Sequence, residues 1–321
     1  MLEPVALYLR EADVASLVTL DDVIDTVERA FAEAAAGRAV NRPRQRVQVE
    51  GGVLHVMAAG LPDWGVLGLK SYATTRGGRR FIGLLYDLSD GRLLAMMEAD
   101  TLGQLRTGAA SAVASKYLAR PEAGTLGLIG TGWQARSQAA AIARVRPIAL
   151  VKAYSRTPER REAFAEEMTA ELGAQVVAVD SPEEAVRDAD IVTTITSARD
   201  PVVQGGWLRP GVHVNAAGAN ALPRREIDTG VVTRAARIVV DSREQARLEA
   251  AELTVPVEEG LLTWNRVAEL AEVVGGQVPG RQDPEEITLF KSLGIALEDV
   301  AVMHLVYHRA CERGVGEEIG R

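Results

Sequence analysis

The stretch Gly124-Thr-Leu-Gly-Leu-Ile-Gly130-Thr-Gly132-Trp-Gln-Ala135-Arg-Ser-Gln138 restricts the folds open to this chain more than any other. Leu126 to Ile129 is an apolar run of the length of one buried parallel strand. It leads directly into Gly130-x-Gly132-x-x-Ala135, after which the spacing is helical as far as Pro147. Each small residue has a physical task. Gly130 permits a tight exit from the strand, Gly132 lets bare backbone approach a pyrophosphate, and Ala135 lets the helix pack close to the sheet. The helix N-terminus then presents N–H groups to the phosphates. A glycine-rich strand exit also occurs as a plain turn, so the stretch gains its weight from the pattern downstream of it. Further strands are expected at Ile148–Tyr154, Val176–Val179, Ile191–Ile195, Val212–Ala216 and Ile238–Asp241. Helices fit between several of them: one from Pro158 to Leu172 closed by Gly173, and a short one opened by Ser181-Pro182. Strand and helix in alternation predict an α/β fold with a doubly wound parallel sheet of the Rossmann type.

The chain before this region has another period. Thr19-Leu-Asp-Asp22 is an N-cap signal, and Val23, Val27, Ala30, Phe31 and Ala34 recur at helical spacing until Gly37. From 44 to 99 the pattern alternates in short runs separated by glycine-rich turns, which predicts an antiparallel sheet. Asp100 is expected to cap a helix from Thr101 to Ala119, rich enough in Gly and Ala for another backbone or a ligand to approach it closely, with Pro121 as its stop. After Asp241 the pattern is helical but irregular, and Asp283-Pro284 is expected to open a long helix towards Gly314 that leaves the nucleotide domain and returns to the N-terminal one. The expected domains are therefore 1–119 with 296–321, and 120–295.

Composition removes several classes of function. With 321 residues and 47% hydrophobic content, core material is not limiting. A net charge of −8, with no basic tail to offset it, argues against nucleic acid or an anionic membrane as the partner and for a small soluble ligand. One cysteine, Cys311, excludes an internal disulfide framework and a cysteine-based metal site, and four scattered histidines suggest no metal centre. Without a signal-peptide pattern or an apolar run of membrane-spanning length, a cytoplasmic protein is expected.

The end of the second expected strand reads Tyr154-Ser155-Arg156-Thr157. An acidic residue there would accept hydrogen bonds from the adenosine ribose of NAD. Two hydroxyls and a guanidinium in its place suit a 2′-phosphate, which favours NADP(H) over NAD(H) unless Arg156 is only a solvated loop residue.

The order of motifs resembles the ornithine cyclodeaminase/μ-crystallin family over almost the whole chain. The resemblance rests on Arg42-Pro43-Arg44, Gly68-Leu-Lys70, Leu105-Arg106-Thr107-Gly-Ala-Ala-Ser111, the glycine turn through Gln138, and Phe290-Lys-Ser292-Leu-Gly294-Ile-Ala-Leu-Glu-Asp299. It implies a homodimer paired through the antiparallel sheet of an N-terminal substrate-binding domain, which the C-terminal helix completes, with substrate held between that domain and the nicotinamide. It also implies three cations around a substrate carboxylate, here Arg44, Lys70 and Arg106. Thr131, Trp133 and Gln134 fall within the glycine turn. By resemblance Thr107, Thr194, Ile195, Thr196, Ser197, Ser292, Leu293 and Gly294 would border the nicotinamide and phosphates.

The residues themselves agree. Lys70 stands in an alternating strand of small and apolar residues, where an ammonium is costly unless it meets an anion. Arg44 and Arg106 each offer forked donors to a carboxylate, although Arg44 by itself fits a surface arginine as well. Two departures from the ornithine-acting pattern are informative. After Val214-Asn-Ala-Ala-Gly218-Ala that branch places an aspartate, where this chain has Asn220; ahead of Val56-Met57 it has a glutamate, where this chain has His55. Both anionic contacts for a distal ammonium are thereby lost; were ornithine turned over nonetheless, Glu226 would be the first carboxylate near Asn220 to test. His55 fits an interior strand histidine as well as a site residue. The reading is an imine (ketimine) reductase or amino-acid dehydrogenase that passes hydride between NADPH and a small 2-imino or 2-amino acid. Lys70 would be catalytic, and Arg44, Arg106, His55, Met57 and Asn220 would face the substrate. The alternatives are an ammonia-releasing cyclodeaminase that recycles its cofactor and a non-enzymatic NADPH-dependent binding protein.

Overall fold

Thr19 starts the first long helix: its hydroxyl accepts from the Asp22 amide, while the Asp22 carboxylate accepts from the Thr19 amide at 3.0 Å. In a computed structural model of the chain, residues 6–320 are described. The elements of the N-terminal part are β1 (Ala6–Leu9), α1 (Glu11–Leu17), α2 (Leu20–Ala35), β2 (Val40–Asn41), β3 (Gln45–Val49), β4 (Gly52–Leu61), β5 (Val66–Thr75), β6 (Gly78–Asp87), β7 (Leu93–Glu98) and α3 (Asp100–Leu118). Next come β8 (Thr125–Ile129), α4 (Trp133–Val145), β9 (Leu150–Tyr154), α5 (Pro158–Leu172), β10 (Gln175–Ala178), α6 (Pro182–Val186), β11 (Ile191–Thr194) and β12 (His213–Ala216). The remainder comprises α7 (Thr229–Arg234), β13 (Arg237–Val240), α8 (Arg243–Glu249), α9 (Ala251–Glu258), β14 (Val267–Glu269), α10 (Leu270–Val274), β15 (Thr288–Lys291), α11 (Ala296–Arg313) and β16 (Glu317–Ile319). The chain divides into two units, Met1–Arg106 with Ile295–Arg321, and Thr107–Gly294. The first boundary lies inside α3, earlier than the 119/120 boundary drawn from the sequence, because a continuous helix carries no change of composition at Arg106.

The first unit is built on a sheet of order β16-β1-β7-β6-β5-β4-β2, with β3 also paired to β4; only the β1–β7 pair is parallel. α11 lies against one face. A Cβ on Gly68 of β5 would stand 2.9 Å from Val300, so glycine is what allows the helix so near the strand. Arg309 of α11 is tied to the Asp22 carboxylate of α2 at 2.6 Å, which joins the two helices. The opposite face of the sheet carries Val47, Val49, Leu54, Leu67 and Ile82, all exposed.

The second unit is a wholly parallel sheet of order β10-β9-β8-β11-β12-β15-β13-β14. The chain winds outwards from β8 to β10 and then returns to the other side of β8 at β11, so the switch point lies at the carboxyl ends of β8 and β11. Side chains alternate between two apolar layers. Leu126 and Leu128 pack with Ala139, Ile142, Phe164 and Met168 on one side, and Ile129 packs with Val192, Val214 and Leu289 on the other. Among the described residues, no helix is long and apolar enough to cross a membrane.

Three details differ from the expectations drawn on sequence. Asp100 is the first residue of α3 and not its cap; the Asp100 and Thr101 amides are received by the Glu11 carboxylate at 2.5 and 2.9 Å. The parallel sheet has eight strands where six were expected, with β14 and β15 added. The long helix expected from Asp283 does not form there: Thr288–Lys291 is a strand between β12 and β13, and the helix begins only at Ala296. The physical reason is that β15 is buried at every position, and so short a run has no period that distinguishes strand from helix. The Lys291 ammonium is accommodated by the Ala219 carbonyl at 2.6 Å and Glu252 at 3.3 Å.

At the strand exit the backbone has no room for a side chain. Gly130 has φ +110°, and a Cβ on it would lie 2.5 Å from the Ile195 carbonyl oxygen. Gly130→Ala is expected to lower unfolding stability by roughly 1–3 kcal/mol, measured by urea denaturation. An unchanged midpoint would contradict the strain assigned to this residue.

Candidate functional site

In β5 the residues Val66, Gly68, Lys70 and Tyr72 alternate onto the buried face, so a strand built for an apolar interior carries an ammonium into it. Lys70 is 2% exposed. The reason it can be buried lies on α11, whose start is held by the Asn41 side chain accepting the Leu297 amide at 3.1 Å. The first turn of that helix places Glu298 and Asp299 at the sheet. Lys70 Nζ donates to Asp299 Oδ1 at 2.6 Å, and Arg106 Nε donates to the same oxygen at 2.8 Å. Arg106 Nη1 donates to Glu298 Oε2 at 3.0 Å. Asp299 Oδ2 is buried with no hydrogen-bond partner. Arg44 is buried too, its Nε 3.4 Å from the Met57 sulfur, and Met57 stands opposite Lys70 in the β4–β5 register.

Arg44, Lys70 and Arg106 thus gather three cations near two carboxylates in an interior where charge interactions are strong. Burial, aided by the Arg106 charge, brings the Lys70 pKa down to about 8 against the opposing pull of Asp299. Burial disfavours the Arg106 charge as well, but Asp299 and Glu298 more than offset it and hold its pKa above the ordinary value. Against burial, which alone would raise it, the Asp299 carboxyl is held below its ordinary range by Arg106 and Lys70. The set contains an ammonium that can release a proton near neutral pH.

His55 pairs with Tyr72, one step along the same face from Met57 and Lys70. Its ring stacks on Tyr72 at 4.2 Å with 7° between planes, and Tyr72 meets Phe81 at 4.6 Å. Burial and the charges of Arg46 and Arg44 push the His55 pKa down to about 4, so it is neutral at physiological pH. It belongs to an aromatic wall beside the cations, and it offers a distal ammonium no negative charge.

In the second unit the carboxyl end of β8 opens at Gly130 into α4. Gly132 is the N-cap of that helix, with no side chain to cap it, and a Cβ added there would meet nothing within 4 Å. Trp133 is half exposed, Ala135 is fully buried, and the buried Gln134 Oε1 has no partner. Thr131 completes the turn between the two glycines. This open, uncapped helix end fits a dinucleotide pyrophosphate. Past β9, Arg156 and Thr157 are exposed, and the Ser155 hydroxyl donates to the Thr157 carbonyl at 3.2 Å. No carboxylate stands at Ser155–Thr157.

Two buried acids to which the sequence pointed only weakly or not at all organise the neighbouring loops. Glu226 is fully buried and accepts from the Thr196 amide at 2.6 Å, the Gly218 amide at 2.6 Å and the Ala219 amide at 3.1 Å. It fixes the segment Thr194-Ile195-Thr196-Ser197 and the turn before Asn220, and both its oxygens are engaged. Glu226 is therefore not a replacement carboxylate for a substrate ammonium. Asp241 holds the Leu293 and Gly294 amides at 2.6 and 2.7 Å, with Ser292 Oγ 3.4 Å away. Thr194 Oγ1 is buried without a partner. The Thr107 carbonyl accepts from Gln138 Nε2 at 3.0 Å, where Gly108 lets α3 and α4 pack backbone to backbone.

The structure thus brings Arg44, Met57, Lys70, Arg106 and His55 into one patch of the first unit, while Asn220 lies half-buried in a loop of the second. Glu298 and Asp299 were not expected as site residues, because the helix expected from Asp283 would carry them in its interior and the helix in fact begins at Ala296.

A doubly wound nucleotide-binding sheet with an antiparallel unit holding buried cations defines a class of dinucleotide-dependent proteins. The chain belongs to the ornithine cyclodeaminase/mu-crystallin family, whose pattern matches residues 5–314. It is 39% identical over 314 residues to a Delta(1)-pyrroline-2-carboxylate reductase of Bacillus cereus, covering 95% of this chain and 96% of that one. Among solved structures it resembles the Delta(1)-pyrroline-2-carboxylate reductase of Thermococcus litoralis in complex with NADH and L-proline, with TM-score 0.94, 39% identity, and 98% and 100% of the two chains covered. An archaeal alanine dehydrogenase dimer with bound NAD is also similar, with TM-score 0.92, 36% identity, and 98% and 99% covered.

Proposed function

We propose that this protein is a nicotinamide-dependent oxidoreductase that reduces the C=N bond of a small 2-imino acid, a cyclic one in preference to a dibasic one. The observation that carries this reading is the buried Lys70 ammonium, set among Arg44 and Arg106 with its pKa lowered towards neutrality. Arg44 and Arg106 bind the substrate carboxylate through forked donors and thereby fix the reacting carbon. The hydride for that carbon would come from NADPH when it is bound. Lys70 gives the imine nitrogen its proton and regains one from solvent, so one imino acid, one NADPH and one proton yield one amino acid and NADP. The wall of His55, Tyr72 and Phe81 suits an apolar ring. The reductases of Bacillus cereus and Thermococcus litoralis support the reading as relatives.

Burying a distal ammonium beside neutral His55, without a carboxylate partner, would cost roughly 3–5 kcal/mol, on the order of a thousandfold in specificity. A cyclic imino acid with NADPH is therefore expected to be consumed one for one, monitored at the absorbance of the reduced cofactor, while ornithine releases little ammonia. Lys70→Met is expected to abolish turnover and leave NADPH binding intact, because the cofactor contacts are assigned to the second unit. Ornithine turnover without net redox change would refute the reductase reading.

For the cofactor, Gly130, Thr131, Gly132, Trp133, Gln134 and Ala135 would hold the pyrophosphate, and Ser155, Arg156 and Thr157 would receive a 2′-phosphate. The similar structures carry NADH and NAD, and the NADP preference we propose for this chain rests on the exposed Arg156 in place of a carboxylate. Arg156→Ala is expected to lower NADPH affinity on the order of tenfold and leave NADH affinity nearly unchanged, read by cofactor fluorescence. Equal affinities in the native protein would count against this.

The assembly we assign is a homodimer that covers the outer sheet face, where Val47 and Val49 are 59% and 64% exposed. Light scattering should give twice the chain mass, and Val47→Asp with Leu54→Asp should halve it. A monomer in the native protein would exclude the assignment.

A further inference from the structure

Asp299 presents an asymmetry that packing does not require. One carboxylate oxygen accepts from both Lys70 and Arg106, and the other is buried with no partner. An unsatisfied buried carboxylate oxygen is costly. Glu298 already gives the guanidinium an anion, at 3.0 Å. Asp299, by contrast, supplies the hydrogen bond and ion pair that Lys70 Nζ makes, at 2.6 Å.

We infer that Asp299 is a positioning residue for the proton donor: by holding Lys70 Nζ it orients the ammonium and keeps it protonated until a substrate arrives. This rests on the reductase reading. The groups facing Lys70 from each packed element divide accordingly. Arg106 from α3 and Arg44 from the segment before β3 both act to strip its proton, and Asp299 from α11 opposes them. The Phe81 ring of β6 lies 5.9 Å from Nζ, Met57 of β4 is uncharged, and His55 is neutral. The Gly103 position of α3 borders Nζ with no side chain of its own. Without Asp299, two cations and burial would leave the amine neutral in the range where the reaction needs an acid. A substrate carboxylate entering beside Arg44 and Arg106 would take over part of this electrostatic task.

Activity that needs the protonated form declines as pH rises through the Lys70 pKa, about 8. Removing the Asp299 charge lowers that pKa further, so the decline moves to lower pH. The test compares native protein, Asp299→Asn, Asp299→Glu and Glu298→Gln by two readouts. One is the pH profile of kcat/KM for a cyclic imino acid with NADPH. The other is the 15N titration of the side-chain amine of Lys70, one of four lysines with Lys116, Lys152 and Lys291, so that selective labelling gives few signals. In Asp299→Asn the alkaline limb and the Lys70 titration are expected to move down together by about one unit or more, with NADPH affinity retained. Asp299→Glu should hold the titration near the native position while lowering kcat, and Glu298→Gln should raise KM without moving the limb. An unmoved Lys70 titration in Asp299→Asn overturns the inference. Should that variant not fold, Lys70 shifting more in Glu298→Gln than in Asp299→Glu overturns it equally. If native protein reduces no imino acid, the reductase reading fails, whereas the 15N titration still decides the role of Asp299.

Discussion

Three buried cations on one patch would not be tolerated in a protein interior without anions, and α11 supplies them. Isolated charges in such a place carry penalties of several kcal/mol each. The first unit is arranged around this constraint. Gly68 lets the helix approach β5, Asn41 fixes where the helix begins, and its first turn then places Asp299 against Lys70 and Arg106. The carboxylate binding we propose for Arg44 and Arg106 is set in this buried, charged patch.

The second unit solves a different problem with the same means. Loops at the carboxyl ends of parallel strands carry backbone amides that a sheet cannot satisfy. Glu226 collects those of Thr196, Gly218 and Ala219, and Asp241 collects those of Leu293 and Gly294. The two acids each have both oxygens engaged by the protein's own donors. They stiffen the loops that border the switch point, where a nucleotide site needs preformed geometry. The glycine turn at Gly130 contributes rigidity of another kind, since its left-handed backbone and the nearby Ile195 carbonyl leave it one conformation.

Much of this was legible in the sequence because some residues break their local pattern. Lys70 interrupts a strand of small and apolar residues, and Gly130-x-Gly132-x-x-Ala135 interrupts a strand-to-helix junction; each departure has few physical explanations. The capping signals at Thr19 and Ser181 and the stop at Gly173 were likewise readable, being local backbone chemistry. What escaped is non-local. Glu298 and Asp299 fall inside the helix expected from Asp283, and only the fold reveals that they open α11 and face Lys70 and Arg106 from the far end of the chain. Glu226 looked like a spare carboxylate near Asn220, and its amide partners are visible only in three dimensions. The strand Thr288–Lys291 is too short for any period, and its neighbours β12 and β13 are what make it a strand. The cap of α3 was misplaced for a related reason, since Glu11 reaches it from a distant helix.

At the centre of the proposed chemistry, hydride passes to the imine carbon and stays there. The most direct measurement supplies NADPH deuterated at C4 on the face transferred, together with a cyclic 2-imino acid, and determines the mass and deuterium position of the product. The predicted product is an amino acid carrying one deuterium at the α-carbon, formed in equal amount to NADP. A product without deuterium at that carbon, or deuterium returned to the cofactor while ammonia is released, would contradict it.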